Sequence, residues 1–247
     1  MRRLFLTAAL ALLTTPAFAG GLGTMTDAER SAFRDEVKQY LLDNPEVLTE
    51  AMQALQDRQD KAAALAETKA VTDNSDAIYK DADSYVGGNP DGDITIVEFM
   101  DYRCTYCRKA YAEVTDLVKS DGNIRFVVKE FPILGADSVT SARFAIAMRM
   151  LHGDAAYEKV HDALITLRGQ PDPDTLSRLA TSLGYDPAAV MAKMSDDKVT
   201  AVIAANHALA STLNITGTPT FVIAGKMLRG YVPEAGMKQI VAAGRAG

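Results

Sequence analysis

Cys104 and Cys107 are the only cysteines in a chain of 247 residues, and they stand in the run Asp101-Tyr102-Arg103-Cys104-Thr105-Tyr106-Cys107-Arg108-Lys109. Two thiols at this spacing can pass between dithiol and disulfide. The attacking species in such exchange is a thiolate, whereas a free cysteine, with a pKa of about 8.5, is mostly protonated at neutral pH. The pair falls where an apolar run hands over to a helical pattern. There the first sulfur meets the unpaired N–H groups and the positive end of a helix dipole, and both favour the thiolate. Any disulfide within one molecule must be Cys104–Cys107. A bridge across a single helical turn ties nothing distant together, so its use is redox chemistry and not cross-linking.

Other groups near the pair could take part. Glu98 lies inside the apolar run Ile94-Thr95-Ile96-Val97-Glu98-Phe99-Met100, where a charge is costly to bury unless it has a partner or a task. Two placements are open. Glu98 could point outward on an edge strand, or inward with Lys129, at the end of the next strand, as its partner. Asp101, Tyr102, Arg103 and Arg108 could tune the thiols or be solvated surface residues, and Tyr102 and Tyr106 are candidates for lining an apolar peptide groove. No cofactor is called for beyond the redox-active pair. As a metal site, Cys104 and Cys107 could hold Cu(I), whereas zinc would need further ligands. His152, His161 and His207 have no ligand-like spacing and read as helix-surface or partly buried histidines.

Several elements must position these residues. Asn89-Pro90-Asp91-Gly92-Asp93 is a turn cluster, and Ile94 to Met100 is a short, β-branched run that predicts a buried strand. A helix follows from the cysteines to about Lys119, then a strand over Ile124 to Lys129. Residues from about 137 to 214 are helical in pattern, punctuated at Gly153, at Gly169 to Pro173, and at Gly184 to Pro187. Thr220 to Ile223 is a strand signal, Ala224-Gly225 a hairpin turn into Met227-Leu228-Arg229, and Pro233 to Ala243 a closing helix. Ahead of this region, Thr26 to about Val71 is helix without a strand candidate. Thr26-Asp27-Ala28-Glu29 has the capping-box pattern, and Asn44-Pro45 restarts the helix with Asn44 as N-cap and Pro45 at its first position. Leu48, Met52, Leu55, Gln59, Ala62 and Ala66 then form a weak heptad-like seam. That seam could fold back on its own domain or pair with other subunits; the length and alanine content of the arm favour oligomerisation.

Composition bounds the setting. Arg2 and Arg3, the apolar run Leu4 to Leu13 and Ala17-Phe18-Ala19 make a signal peptide with cleavage after Ala19. It reads as a Sec-type leader that sends the chain to the periplasm. No cysteine follows the cleavage site, which excludes a lipoprotein. Loss of the two arginines moves the net charge from −6 to −8, which argues against nucleic acid as a partner. Outside the cytosol disulfides persist, so an exported dithiol has redox partners.

From about Ile94 to the end, the chain resembles the DsbA family of exported thiol–disulfide oxidoreductases. The resemblance rests on Val97-Glu98-Phe99 leading into the redox motif, on the helical insertion, and on Thr216-Gly217-Thr218-Pro219-Thr220 before the hairpin. It implies an α/β thioredoxin fold with an inserted helical domain, preceded by an N-terminal helical arm. The domains would be 1–19 (signal peptide), 20–75 (arm) and 76–247, with the insertion at about 137–214. Cys104 would be the nucleophile and Cys107 the resolving thiol. Pro219, which as an ordinary X-Pro bond would be trans, would be cis and face the cysteines. Glu98 would be a buried acid that moves protons for Cys107.

Within the resemblance, Thr105-Tyr106 stands where strongly oxidising members have Pro-His, and Thr218 where they have valine. Both substitutions resemble disulfide isomerases. They imply a pair less oxidising than the DsbA value of about −120 mV, with Thr105, Tyr106 and Thr218 contacting substrate. Leu41-Leu42-Asp43-Asn44-Pro45-Glu46-Val47-Leu48 resembles the leader helices of the suppressor-of-copper-sensitivity C and Com1-like subgroup, whose arms assemble trimers. The implied partners are exported proteins with thiols or disulfides, a membrane redox partner that resets the cysteines, and further copies of the chain.

Overall fold

The computed structural model describes residues 25–246; the leader read over residues 1–19 lies outside the described residues. Two compact units divide between Asp60 and Lys61.

The first unit contains α1 (Asp27–Asp43) and the start of α2 (Glu46–Asp73). The Thr26 hydroxyl accepts from Glu29 N–H, and the Glu29 carboxylate accepts from Thr26 N–H at 2.8 Å, which completes the capping box. Asn44 behaves differently from expectation. It is the C-cap of α1: its backbone N–H and its side-chain amide both donate to Tyr40 O at 2.9 Å, so at the start of α2 it offers only its carbonyl, which accepts from Val47 N–H at 3.2 Å. Leu48, Met52 and Leu55 of the seam are exposed.

In the second unit α3 (Ser75–Tyr79) and β1 (Tyr85–Gly88) precede β2 (Ile94–Met100). Then come α4 (Thr105–Asp121), β3 (Ile124–Glu130), and five helices, α5 (Ala136–His152), α6 (Asp154–Thr166), α7 (Pro173–Ser182), α8 (Pro187–Lys193) and α9 (Asp197–Thr212). β4 (Thr220–Ile223), β5 (Lys226–Arg229) and α10 (Glu234–Ala246) close the chain. The sheet order is β1-β3-β2-β4-β5, with β2 and β3 parallel and the other pairs antiparallel.

β2 is thus flanked on both sides, which explains its near-continuous apolar sequence. Ile94, Ile96 and Phe221 pack on Val114 and Leu117 of α4 and Met237 of α10. On the other face Val97, Phe99 and Val127 pack with Leu209 of α9 and Leu213, its C-cap. Met100 and the cysteines join a third cluster with Phe144 of α5, Tyr157 of α6 and Leu176 of α7. No described helix is long and apolar enough to cross a membrane.

The sequence order of strands and helices agrees with this architecture, apart from two elements. β1 and α3 had no clear signal. β1 is a four-residue edge strand ending in two glycines, and Gly88 has φ +66° with Ile124 O only 2.4 Å from where a Cβ would sit. A strand that must end in glycine does not display the alternation by which strands are read.

Candidate redox site

Cys104 is the N-cap of α4, with φ −73° and ψ 120°, and Cys107 N–H donates to its Sγ at 3.4 Å. Both thiols are free and buried. From a segment 114 residues further on, the carbonyl of Thr218 accepts from Cys104 Sγ at 3.1 Å, and the Thr218–Pro219 peptide bond is cis. Pro219 O in turn accepts from Gly230 N–H at 2.8 Å, which fixes this corner against β5. Thr105 and Tyr106 open α4 and are exposed, Tyr106 at 60 %.

Position divides the two thiols. Cys104 is pulled down to about 5 by the hydrogen bond from the Cys107 thiol, then by Thr218 and the Cys107 and Tyr106 N–H groups, against the opposing effect of burial. Cys107 is pushed up by sharing that hydrogen bond, by burial and by the nearby Glu98 charge. The dithiol therefore holds its negative charge on Cys104.

Glu98 is buried in the central strand, opposite Val128 of β3 and Phe221 of β4, so it is not on an edge. Burial, then the charges of Cys104 and Glu130, raises its pKa to about 8. It lines one cleft with Cys107. The expected Lys129 partner is a correction. Lys129 stands opposite Phe99, one residue out of step with Glu98, and successive side chains of a strand point to opposite faces. Its ammonium instead donates to Asp81 at 2.6 Å and to Ala77 O at 2.8 Å.

The flanking residues are also corrected. Asp101 is buried: Oδ1 accepts from Arg103 N–H at 2.8 Å and Oδ2 from Ile133 and Leu134 N–H at 2.8 and 3.1 Å. It ties the loop before α4 to the chain after β3. Tyr102 is buried too, so it lines no peptide groove; its hydroxyl donates to Glu130 Oε1 at 2.8 Å. The Tyr157 hydroxyl donates to the same oxygen at 2.5 Å, and Glu130 Oε2 has no partner among the described residues. Burial raises Glu130 to about 8.

His161, expected at a helix surface or partly buried, is buried against Tyr102 and Tyr157, and desolvation lowers it to about 4. Sequence reading missed this cluster. The one available signal was a second acid, Glu130, directly after an apolar strand. Among the described residues no three His, Cys, Asp or Glu side chains group as a metal site; the two thiols are the soft ligands present.

The family model of the DSBA-like thioredoxin domain matches residues 95–242. The chain belongs to this family. A second model, the copper resistance protein ScsC N-terminal domain, matches residues 29–62. Among solved structures, a thioredoxin-like oxidoreductase from Silicibacter pomeroyi DSS-3 is 40 % identical, with TM-score 0.66, over 70 % of this chain and 98 % of its own. ScsC of Proteus mirabilis in a transitional conformation is 26 % identical, with TM-score 0.65, over 92 % of this chain and 99 % of its own. Among curated proteins, a Na+/H+ antiporter NhaA 1 of Salinispora arenicola is 29 % identical over 147 residues, and the match spans only 22 % of that relative's length. This DSBA-like protein has the thiol–disulfide oxidoreductase fold, with its close cysteine pair at the start of α4.

Proposed function

We propose that this DSBA-like protein is a periplasmic thiol–disulfide oxidoreductase that rearranges or reduces wrong disulfides in exported proteins through Cys104 and Cys107. The observation that carries the reading is the Cys104 sulfur held between a helix N-terminus and the Thr218 carbonyl. The Cys104 thiolate attacks one sulfur of a substrate disulfide, giving a mixed disulfide and a substrate thiolate that takes up a proton. Isomerisation follows when another substrate thiolate attacks the mixed disulfide and returns Cys104. Reduction follows when Cys107 loses its proton, attacks Cys104 Sγ and releases the second substrate thiolate, leaving the Cys104–Cys107 disulfide.

Glu98 is the group that takes and returns the Cys107 proton, since both line one cleft and a carboxyl near pKa 8 can do either at neutral pH. Thr105, Tyr106, Thr218 and Pro219 receive the substrate backbone. The lean toward isomerase or reductase work rests on Thr105-Tyr106 and Thr218. It also rests on a thiolate less stabilised than that of DsbA, whose pKa is about 3.5.

Export rests on the leader-like residues 1–19, and assembly into oligomers on the exposed seam of α2 together with the ScsC N-terminal match. A membrane redox partner would keep the pair in its working state, with no cofactor beyond the pair. The deciding experiment is reactivation of a scrambled-disulfide substrate in glutathione buffer, with Cys104→Ser alongside. Reactivation that requires Cys104 supports the reading, and its absence redirects it to net oxidation of reduced exported proteins. A second reading, a Cu(I)-binding thiol protein without turnover, draws on the copper-resistance relationship of residues 29–62. It predicts one tightly held Cu(I) on the reduced protein and no disulfide exchange.

A further inference from the structure

We propose that the cleft between β1, α4 and α6 binds a small amphipathic organic cation, with an aromatic or aliphatic body and one ammonium or guanidinium head. The cleft encloses about 550 Å3, within the range of small-molecule sites. Cys107 is part of its wall, while neither Cys104 nor Pro219 is. It is therefore a different surface from the one that meets substrate disulfides.

The walls set the ligand's body. Val114 and Val118 of α4, Phe126 of β3 and Ile165 of α6 offer apolar surface to a ring or short alkyl chain. Charge sets the head. Three carboxylates, Asp154, Glu158 and Asp162, stand exposed on α6 at the rim, against the single ammonium of Lys119. Asp154 is offset by Arg149 at 2.6 Å and Asp162 accepts from Tyr111 at 2.6 Å, which leaves Glu158 as the rim carboxylate without such a partner among the described residues. A negative mouth draws in cations and repels anions.

The floor supplies the second observation. Glu98 is only 6 % exposed, lines the cleft, and receives no hydrogen bond or ion pair from the described residues. A buried carboxyl without a partner is costly, and a cationic head meeting it relieves that cost. The titratable groups around Glu98 are Cys104 and Cys107 from α4, Glu130 from β3 and His161 from α6. None of these supplies a positive charge at neutral pH, His161 being held neutral by burial. Glu98 is mostly protonated at pH 7, so the incoming cation takes the place of its proton, which leaves to solvent.

The test titrates the reduced form of the full chain, the form in which Glu98 is raised to about 8, with 2-phenylethylammonium and, separately, with the neutral 2-phenylethanol, following heat in two buffers of different ionisation enthalpy. Saturable binding of the amine, about tenfold tighter than the alcohol and with release approaching one proton at pH 7, is expected. Glu158→Gln should weaken the amine about threefold and leave the alcohol alone. Glu98→Gln should abolish proton release, and Ala155→Trp, at an exposed rim position, should block both probes. Equal affinity for alcohol and amine, binding that survives Ala155→Trp, or no saturation by either probe would overturn the proposal. No step of the titration uses disulfide exchange, so its failure leaves the redox reading intact, and the converse holds.

Discussion

The side chains of Cys104 and Cys107 are chemically identical, and what separates them is which backbone groups each can reach. Cys104, as N-cap, accepts from the first turn of α4, whereas Cys107 lies within that turn beside Glu98. Alkylation of the reduced protein should therefore go to Cys104, with a rate that rises through a midpoint near pH 5. A midpoint above about 7, the value of a weakly activated thioredoxin-type cysteine, would contradict the geometry. Because a lower thiolate pKa stabilises the reduced form, a value between those of DsbA and thioredoxin predicts a potential between about −270 and −120 mV against glutathione.

Glu98 gives a second prediction with a sign. Its pKa rises from 4.5 to about 8 on folding, so between those values the folded state binds the extra proton and stability falls as pH rises. Glu98→Gln in the reduced form should be the more stable protein, by on the order of 3 kcal/mol at pH 7 and by little at pH 4.5. The same substitution should slow release of mixed disulfides by Cys107 while leaving Cys104 alkylation nearly unchanged. Denaturant melts at the two pH values and single-turnover kinetics read these separately.

At the scale of elements, β2, β3 and β4 announce themselves because burial on both faces leaves little room for any but apolar, β-branched strands, whereas α4 shows itself by one apolar stripe, Cys107, Ala110, Val114 and Leu117. The redox pair was legible for the same reason, since a strand of this kind ends directly before it. Pairings between elements were not legible. Lys129 looks available to Glu98 in a linear reading, and only strand register sends the two to opposite faces. Asp101 and Tyr102 look like surface residues beside a reactive site. Their partners, Ile133, Leu134, Glu130 and Tyr157, come from elements that the chain brings together late.

The Glu130 cluster joins β3, the loop before α4, and α6 through one carboxylate oxygen. Tyr157→Phe removes one of its two donors without opening a cavity. It should cost about 1–2 kcal/mol in denaturant unfolding, with the Cys104 alkylation midpoint unmoved. A shift of that midpoint would mean that the cluster also tunes the thiol.

At the scale of the whole molecule, the first unit cannot be stable for the reasons that hold the second. None of the residues of α1 is buried, and in α2 only Val71, beyond the division at Asp60, is buried. Phe33, Val37, Tyr40 and Leu42 of α1, with Leu48, Met52 and Leu55 of α2, remain exposed. Most helical stability comes from packing an apolar face and not from propensity, and the apolar side chains of this unit lie uncovered. Copies of the same arm are suited to cover them, because Leu48, Met52 and Leu55 repeat at the spacing by which helices interlock.

Met52→Glu with Leu55→Glu should then lower the sedimentation mass to that of one chain, while Cys104 alkylation stays as in the parent. Reactivation of scrambled substrate should fall further than net thiol oxidation does. Rearranging a wrong bond gains from a second dithiol close by, through effective concentration, whereas a single oxidation needs one. If mass falls and both activities persist equally, assembly serves something other than disulfide rearrangement.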